Sequence, residues 1–103
     1  MIKVVNSNEF KSEIEKDIVL VDFFAEWCGP CKILSSVLDE LQGEFEDKVN
    51  IIKVNVDNSM DIAQQYNISN IPSLVILKKG KEVQRLIGFS PKQVIKENID
   101  KHL

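Results

Sequence analysis

Little in this 103-residue chain suits metal or nucleotide chemistry: it has two cysteines, one histidine and four glycines. A zinc site needs about four ligands, and the histidine, His102, stands near the C-terminus, far in sequence from both cysteines. The same separation speaks against a Cys-His nucleophilic pair. The glycines, at 29, 43, 80 and 88, form no G-x-G-x-x-G or phosphate-loop pattern, so no nucleotide site is legible. Arginine is almost missing. The 13 basic residues are twelve lysines and one arginine, scattered among 16 acidic residues for a net charge of -3, whereas a nucleic-acid footprint needs a basic patch or stripe. No run of about 18 apolar residues could span a membrane. The opening Met1-Ile2-Lys3-Val4-Val5-Asn6-Ser7 lacks the apolar stretch of a secretory signal. A soluble cytoplasmic protein is expected, monomeric, without nucleic-acid or membrane partners.

What is present supports a single domain over residues 1–103, with 44% hydrophobic residues to build a core. There is no repeat, low-complexity segment or Pro/Gly/Ser-rich linker. Val4-Val5 reads as a short strand, and Asn8 as the cap of a helix that puts Phe10 and Ile14 on one face. Val19 to Ala25 is almost continuously apolar, as in a central strand buried on both faces. Ile33, Leu34, Val37, Leu38, Leu41 and Phe45 form an amphipathic helical stripe. A strand over Val49 to Val56, a short helix over Asp61 to Tyr66 and a strand over Leu74 to Leu77 follow. Lys78-Lys79-Gly80-Lys81 reads as a hairpin turn into Val83 to Ile87. Ser90 is placed to cap the last helix, with Pro91 at its first position and Gln93 at its third. The order β-α-β-α-β-α-β-β-α predicts an α/β fold. Parallel strands joined by right-handed crossovers and a closing antiparallel hairpin make a mixed sheet of about five strands, with four helices on its two faces.

The two cysteines stand three apart in Trp27-Cys28-Gly29-Pro30-Cys31-Lys32, where one helical turn lets them interconvert between dithiol and disulfide. Cys28 falls at a strand-to-helix junction. Unpaired N–H groups and the macrodipole at a helix N-terminus favour negative charge, so a thiol there ionises more readily than a free one. The attacking species in disulfide exchange is a thiolate. Cys28 is therefore expected as the exposed nucleophile and Cys31, one turn further in, as the resolving thiol. A disulfide closing so short a loop removes little unfolded-chain entropy, which argues against an inert staple.

Two charged residues interrupt apolar strands. Asp22 sits between Val19-Leu20-Val21 and Phe23-Phe24, where burial raises a carboxyl pKa. Such a group can accept a proton from Cys31 as that thiol becomes nucleophilic, or it can be a structural carboxylate held by backbone donors. Lys53, in Ile51-Ile52-Lys53-Val54, is expected to pair with and tune Asp22; the alternative is a lysine whose charge snorkels to water. Lys32 either favours the nearby thiolate or is simply solvated. His102 reads as a solvent-facing tail residue.

Several separated elements together resemble the thioredoxin family: Asp22-Phe23, Ala25-Glu26-Trp27-Cys28-Gly29-Pro30-Cys31-Lys32, Lys53 and Asp57, Ile71-Pro72, Lys79-Gly80 and Gly88. The resemblance spans the chain and implies the thioredoxin fold. It also implies a cis Ile71-Pro72 bond beside the cysteines, and a low, apolar docking surface made by Trp27, Gly29, Pro30, Ile71, Pro72 and Gly88. Residue by residue, Trp27 could instead be a core aromatic, and Gly88 a bulge or tight bend. The implied function is a protein disulfide reductase, with catalytic residues Cys28, Cys31, Asp22 and Lys53. It would need no bound cofactor or metal and would receive its electrons from a thioredoxin reductase. Gly29-Pro30 favours the reducing direction within that resemblance. The rivals are a disulfide isomerase or oxidase of the same superfamily and a binding subunit that uses the fold without turnover. Three positions depart from the common pattern. Phe24 replaces a frequent tryptophan, Ser36 a frequent kinking proline, and Asn70 a frequent glycine at the rim of the docking surface.

Overall fold

A computed structural model describes residues 2–103. Its strands β1 (Lys3–Val4), β2 (Ile18–Phe24), β3 (Asn50–Asn55), β4 (Ser73–Lys78) and β5 (Lys81–Ile87) form one sheet in the order β1-β3-β2-β4-β5. The helices are α1 (Ser7–Glu13), α2 (Gly29–Phe45), α3 (Met60–Gln65) and α4 (Lys92–Asp100), with a 3-10 turn at Glu46–Lys48. β2 lies in the middle of the sheet, which explains why its run is apolar on both faces: Ile18 to Phe23 are all buried.

Successive strand residues point to opposite faces, and the cores divide accordingly. Ile18 and Leu20 of β2, Ile51 of β3 and Leu74 and Ile76 of β4 pack against Leu34, Leu38 and Leu41 of α2 and Ile95 and Ile99 of α4. Val19, Val21, Phe23, Ile52, Val54, Val75 and Leu77 point the other way, onto Phe10 of α1 and Ile62 of α3. Each fully buried aliphatic side chain contributes roughly 1.5–3 kcal/mol relative to exposure. The same alternation puts Asp22 and Phe24 on the α2 face together with Lys53. Asp22 is in register with Lys53 on β3 and with Leu74 on β4.

The expected parallel pairing holds for β1 with β3 and for β2 with β3, but β4 runs antiparallel to β2. The chain re-enters the sheet at the end where β3 left it: Ser73, the first residue of β4, and Val54, near the end of β3, are both in register with Phe23 of β2, so β4 runs back along β2. β4 and β5 form the expected hairpin, with positive φ at both Lys79 (52°) and Gly80 (82°), the pattern that matches strand twist in two-residue turns.

The starts of α1 and α4 differ from expectation by local chemistry. α1 is capped by Asn6, not Asn8: Asn6 Oδ1 accepts from the Glu9 N–H and the Asn6 N–H donates to Glu9 Oε1, each at 3.0 Å. This is a capping box. α2 begins at Gly29 with Cys28 as its N-cap and Pro30 in its first turn, the start expected at the cysteines. α4 begins at Lys92 with Pro91 at the N-cap and no side-chain cap, so Ser90 does not serve there. His102 is half-buried rather than a free tail residue, its Nε2 lying 2.9 Å from Gln84 Oε1. Among the described residues no helix is long and apolar enough to cross a membrane.

Candidate active site

The site is built where β2 ends and α2 starts. The Cys28 N–H donates to Ala25 O at 3.2 Å, turning the chain out of the strand. Cys28 and Cys31 are joined as a disulfide with their Cα atoms 5.3 Å apart. Ala25, Phe24, Val56 and Ile71 pack around them. The expected contrast of an exposed Cys28 and a sheltered Cys31 is not present in this disulfide form, since the two residues are 5% and 3% exposed. Packing by these four neighbours covers both. The asymmetry lies instead in hydrogen bonding: the Cys31 N–H donates to Cys28 Sγ at 3.2 Å. Cys28 is thus the N-cap whose sulfur occupies the place of an N-cap acceptor, where negative charge is favoured.

Asp22 is fully buried, and neither of its carboxylate oxygens has a protein hydrogen-bond partner. The reading of a structural carboxylate held by backbone donors therefore does not describe it. Burial pushes its pKa up to about 7, and the Lys53 charge pulls it in the opposite direction. Lys53 does not make the expected direct pair with Asp22. Its ammonium donates to Ser35 Oγ and lies 5.3 Å from the centroid of the Phe24 ring. These two groups, on α2 and at the end of β2, offer it a hydroxyl acceptor and an aromatic face. A cleft of about 220 Å³ opens here, lined by Phe24, Ala25, Glu26, Cys31, Lys32, Ser35 and Lys53. It leads to Cys31 from the solvent side.

Around the disulfide, Trp27 is 72% exposed, so it is not a core aromatic. Its Nε1–H donates to Asp57 Oδ2 at 3.0 Å. Asp57 is in turn held by a turn after β3, in which Asn55 Oδ1 accepts from the Asp57 N–H at 2.9 Å and from the Asn58 N–H at 3.3 Å. Gly29 and Pro30 are exposed, Ile71 is half-buried and Pro72 is buried. The Ile71-Pro72 bond is cis. The Gly88 N–H donates to Pro72 O at 2.9 Å, and Gly88 has φ of 86°, a conformation that L side chains rarely adopt. Gly88 is therefore the tight bend that lets the end of β5 reach the Pro72 loop. Asn70 is exposed, and its carbonyl accepts from Ser73 Oγ at 2.6 Å.

Two contributors had not been singled out from the sequence. Ser35 stands four residues after Cys31 and so on the same helical face, a spacing that could have found it. The other is Asn55, whose side chain holds the turn at the already noted Asp57 with the side-chain-to-backbone pattern typical of Asn at strand ends. Among the described residues no group of three or more His, Cys, Asp or Glu side chains is arranged to hold a metal ion.

A buried disulfide at a helix N-cap, following a central strand that carries an unpartnered buried carboxyl, defines the class as a dithiol-disulfide protein on a mixed α/β sheet. Comparison with known proteins makes this specific. Residues 1–101 match the Thioredoxin family. The chain is 44% identical over 103 residues to the thioredoxin of Staphylococcus epidermidis, covering 100% of this chain and 98% of that protein. It is 42% identical to that of Staphylococcus aureus with the same coverage. Among solved structures, a point mutant of a thioredoxin from Halobacterium salinarum superposes with a TM-score of 0.89 at 30% identity, covering 98% of this chain and 88% of that one. Mitochondrial thioredoxin 3 from Saccharomyces cerevisiae in its oxidised form gives 0.86 at 32% identity, covering 98% and 94%. The chain belongs to the thioredoxin family, with the thioredoxin fold. Its function is that of a thiol-disulfide oxidoreductase acting as a disulfide reductase.

Proposed function

We propose that the reductase reaction runs by attack of the Cys28 thiolate on a target protein disulfide. One target sulfur bonds to Cys28 and the other leaves as a thiolate that takes up a proton. Cys31 then gives its proton to the Asp22 carboxylate and attacks Cys28 Sγ. This breaks the mixed disulfide, releases the second target thiol and leaves the Cys28–Cys31 disulfide. The target gains two electrons and the pair loses two. A thioredoxin reductase returns them, so the protein is an electron carrier of the cytoplasm that needs no bound cofactor or metal. Targets dock on Trp27, Gly29, Pro30, Ile71, Pro72 and Gly88, with Lys53 adjusting the charge near Asp22.

The observation that carries this reading is the hydrogen bond from the Cys31 N–H to Cys28 Sγ at a helix N-cap. It supports negative charge on one sulfur and not on the other. Asp22 contributes because a carboxyl that titrates near neutral pH is matched to proton transfer at that pH. The test is a pair of variants assayed on a disulfide-bonded protein substrate. Cys28→Ser is expected to abolish turnover and to form no adduct. Cys31→Ser is expected to attack once and accumulate as a mixed disulfide. Accumulation of the adduct on Cys31 in the Cys28→Ser protein would reverse the assignment.

A further inference from the structure

Lys53 has two possible counter-groups on the α2 face of the sheet. One is Asp22, its register neighbour on β2, about 4.8 Å away across the strands by backbone spacing and lacking any protein hydrogen-bond partner. The other is Ser35 of α2, whose Oγ takes the ammonium while the Phe24 ring lies under it. A lysine free to choose is drawn to a carboxylate. Here the side chain goes to the hydroxyl, and the carboxyl is left alone in its apolar surroundings.

We propose that Ser35 is a positioning residue for the exchange reaction: with the Phe24 ring it holds the Lys53 ammonium at the wall of the cleft beside Cys31, near Asp22 but out of contact with it. The hydroxyl and the ring face together replace part of the ammonium's hydration, the ring through its quadrupole. The seat is built from two side chains on different elements, Ser35 of α2 and Phe24 at the end of β2. The consequence concerns the proton. With the ammonium held off, burial dominates and Asp22 titrates near neutral pH. With the ammonium in contact, an opposite charge would favour the carboxylate and weaken its hold on a proton.

The groups facing Asp22 from each packed element are few. From β3 comes Lys53; from β4 its register partner is the uncharged Leu74. Of α2, Cys31, Lys32 and Ser35 line the cleft, and Cys31 does not titrate while joined to Cys28. Glu26 and Lys32 stand on the outer lining of the cleft and are exposed. In the oxidised protein the Asp22–Lys53 balance can therefore be read without interference from thiols.

The role of the Asp22 proton in turnover rests on the function proposed above; the seating of Lys53 does not. The experiment separates them. The Asp22 side-chain carboxyl carbon is followed by NMR against pH in the oxidised protein, in the parent, Ser35→Ala, Ser35→Thr, Lys53→Gln and the Ser35→Ala/Lys53→Gln double variant. Ser35→Ala is expected to lower the Asp22 midpoint by about one pH unit, and Ser35→Thr, which keeps a hydroxyl, to stay near the parent. On the Lys53→Gln background Ser35→Ala is expected to change nothing further. A midpoint unmoved or raised by Ser35→Ala, or lowered equally without Lys53, overturns the proposal. The pH-rate profile of Ser35→Ala then addresses the other question. A profile that moves with the NMR midpoint ties the seat to turnover, whereas one that stays put retains the seat and removes Asp22 as the proton acceptor.

Discussion

Polar side chains lie between sheet and helix at two places in this protein, and the two are settled in opposite ways. Midway along the hairpin, Gln84 of β5 donates to Asn98 Oδ1 of α4 and faces His102 Nε2 through its own side-chain carbonyl oxygen. Asn98 also donates to Val94 O at 2.8 Å, and the Lys78 ammonium donates to His102 O at 2.9 Å. Each of these groups has a partner. At the end of β2, by contrast, Asp22 has none, and the nearest cation is held elsewhere. Buried polar groups are normally satisfied, and a satisfied network rigidifies while an unsatisfied group is held at a cost. The difference separates a clasp from a reaction site. One joins α4 to the sheet; the other holds a carboxyl pushed up to about 7, as the proton transfer proposed above requires.

Asp22→Asn breaks this comparison most severely. Exchange is expected to slow on the order of a hundred-fold near neutral pH, at the low end of general acid-base contributions, as measured by single-turnover reduction of a protein disulfide. Stability should change in a specific direction. The folded-state pKa of Asp22 is raised to about 7 from its ordinary 3.8, so between those values the folded protein binds more protons than the unfolded one. The contribution of Asp22 to stability is then fully present below the ordinary value and is lost as pH rises towards the folded value. Denaturant unfolding of the oxidised parent should weaken by a few kcal/mol over that window. Asp22→Asn is expected to remove this component of the pH dependence. A slope across that window identical in the two proteins would mean that Asp22 is ionised throughout.

Much of this contrast was legible in the chain itself. Asp22 and Lys53 announce themselves because each interrupts an apolar strand, and period-two alternation then places them on the side of Leu20 and Ile51. The cysteines identify the helix start because their spacing and the Gly-Pro pair suit one turn. What could not be read was the choice Lys53 makes. That choice depends on a hydroxyl 18 residues away, brought near by the packing of α2 on the sheet. The direction of β4 was likewise hidden, because it depends on where the irregular segment between α3 and Ser73 delivers the chain. The burial of both cysteines depends on Val56 and Ile71 arriving from other loops. The Gln84–Asn98–His102 clasp joins β5 to the chain end and leaves no periodic signal.

Gln84→Ala tests the other half of the comparison. It removes the central member of the clasp and leaves Asn98 and His102 each short of a partner. A partly buried hydrogen bond contributes about 0.5–1.5 kcal/mol, so the loss should be about 1 kcal/mol and lower the melting temperature by roughly 4–8 °C. Disulfide exchange at a temperature well below melting should be unchanged, including its pH profile. A fall in the exchange rate that is not explained by unfolding would show that the clasp communicates with the cysteines and that the two regions are not independent.

The smallest expected effect lies between these cases, at Trp27. Its Nε1–H is satisfied by Asp57, as in the clasp, yet the ring is 72% exposed, beside the reacting pair. Water can replace the hydrogen bond, so Trp27→Phe should cost stability no more than about 0.5 kcal/mol. Its consequence should appear in docking. The phenyl ring keeps an apolar face but is no longer tied to the turn at Asp57, and under the docking proposed above it would cover less of a target. KM for a protein disulfide is expected to rise a few-fold, worth under about 1 kcal/mol, while the rate at saturating substrate stays near that of the parent. A small-molecule disulfide, too short to reach the ring, should show no change. If instead the saturated rate falls for both substrates, Trp27 acts on the cysteines themselves, and the boundary between docking surface and reaction site must be drawn outside it.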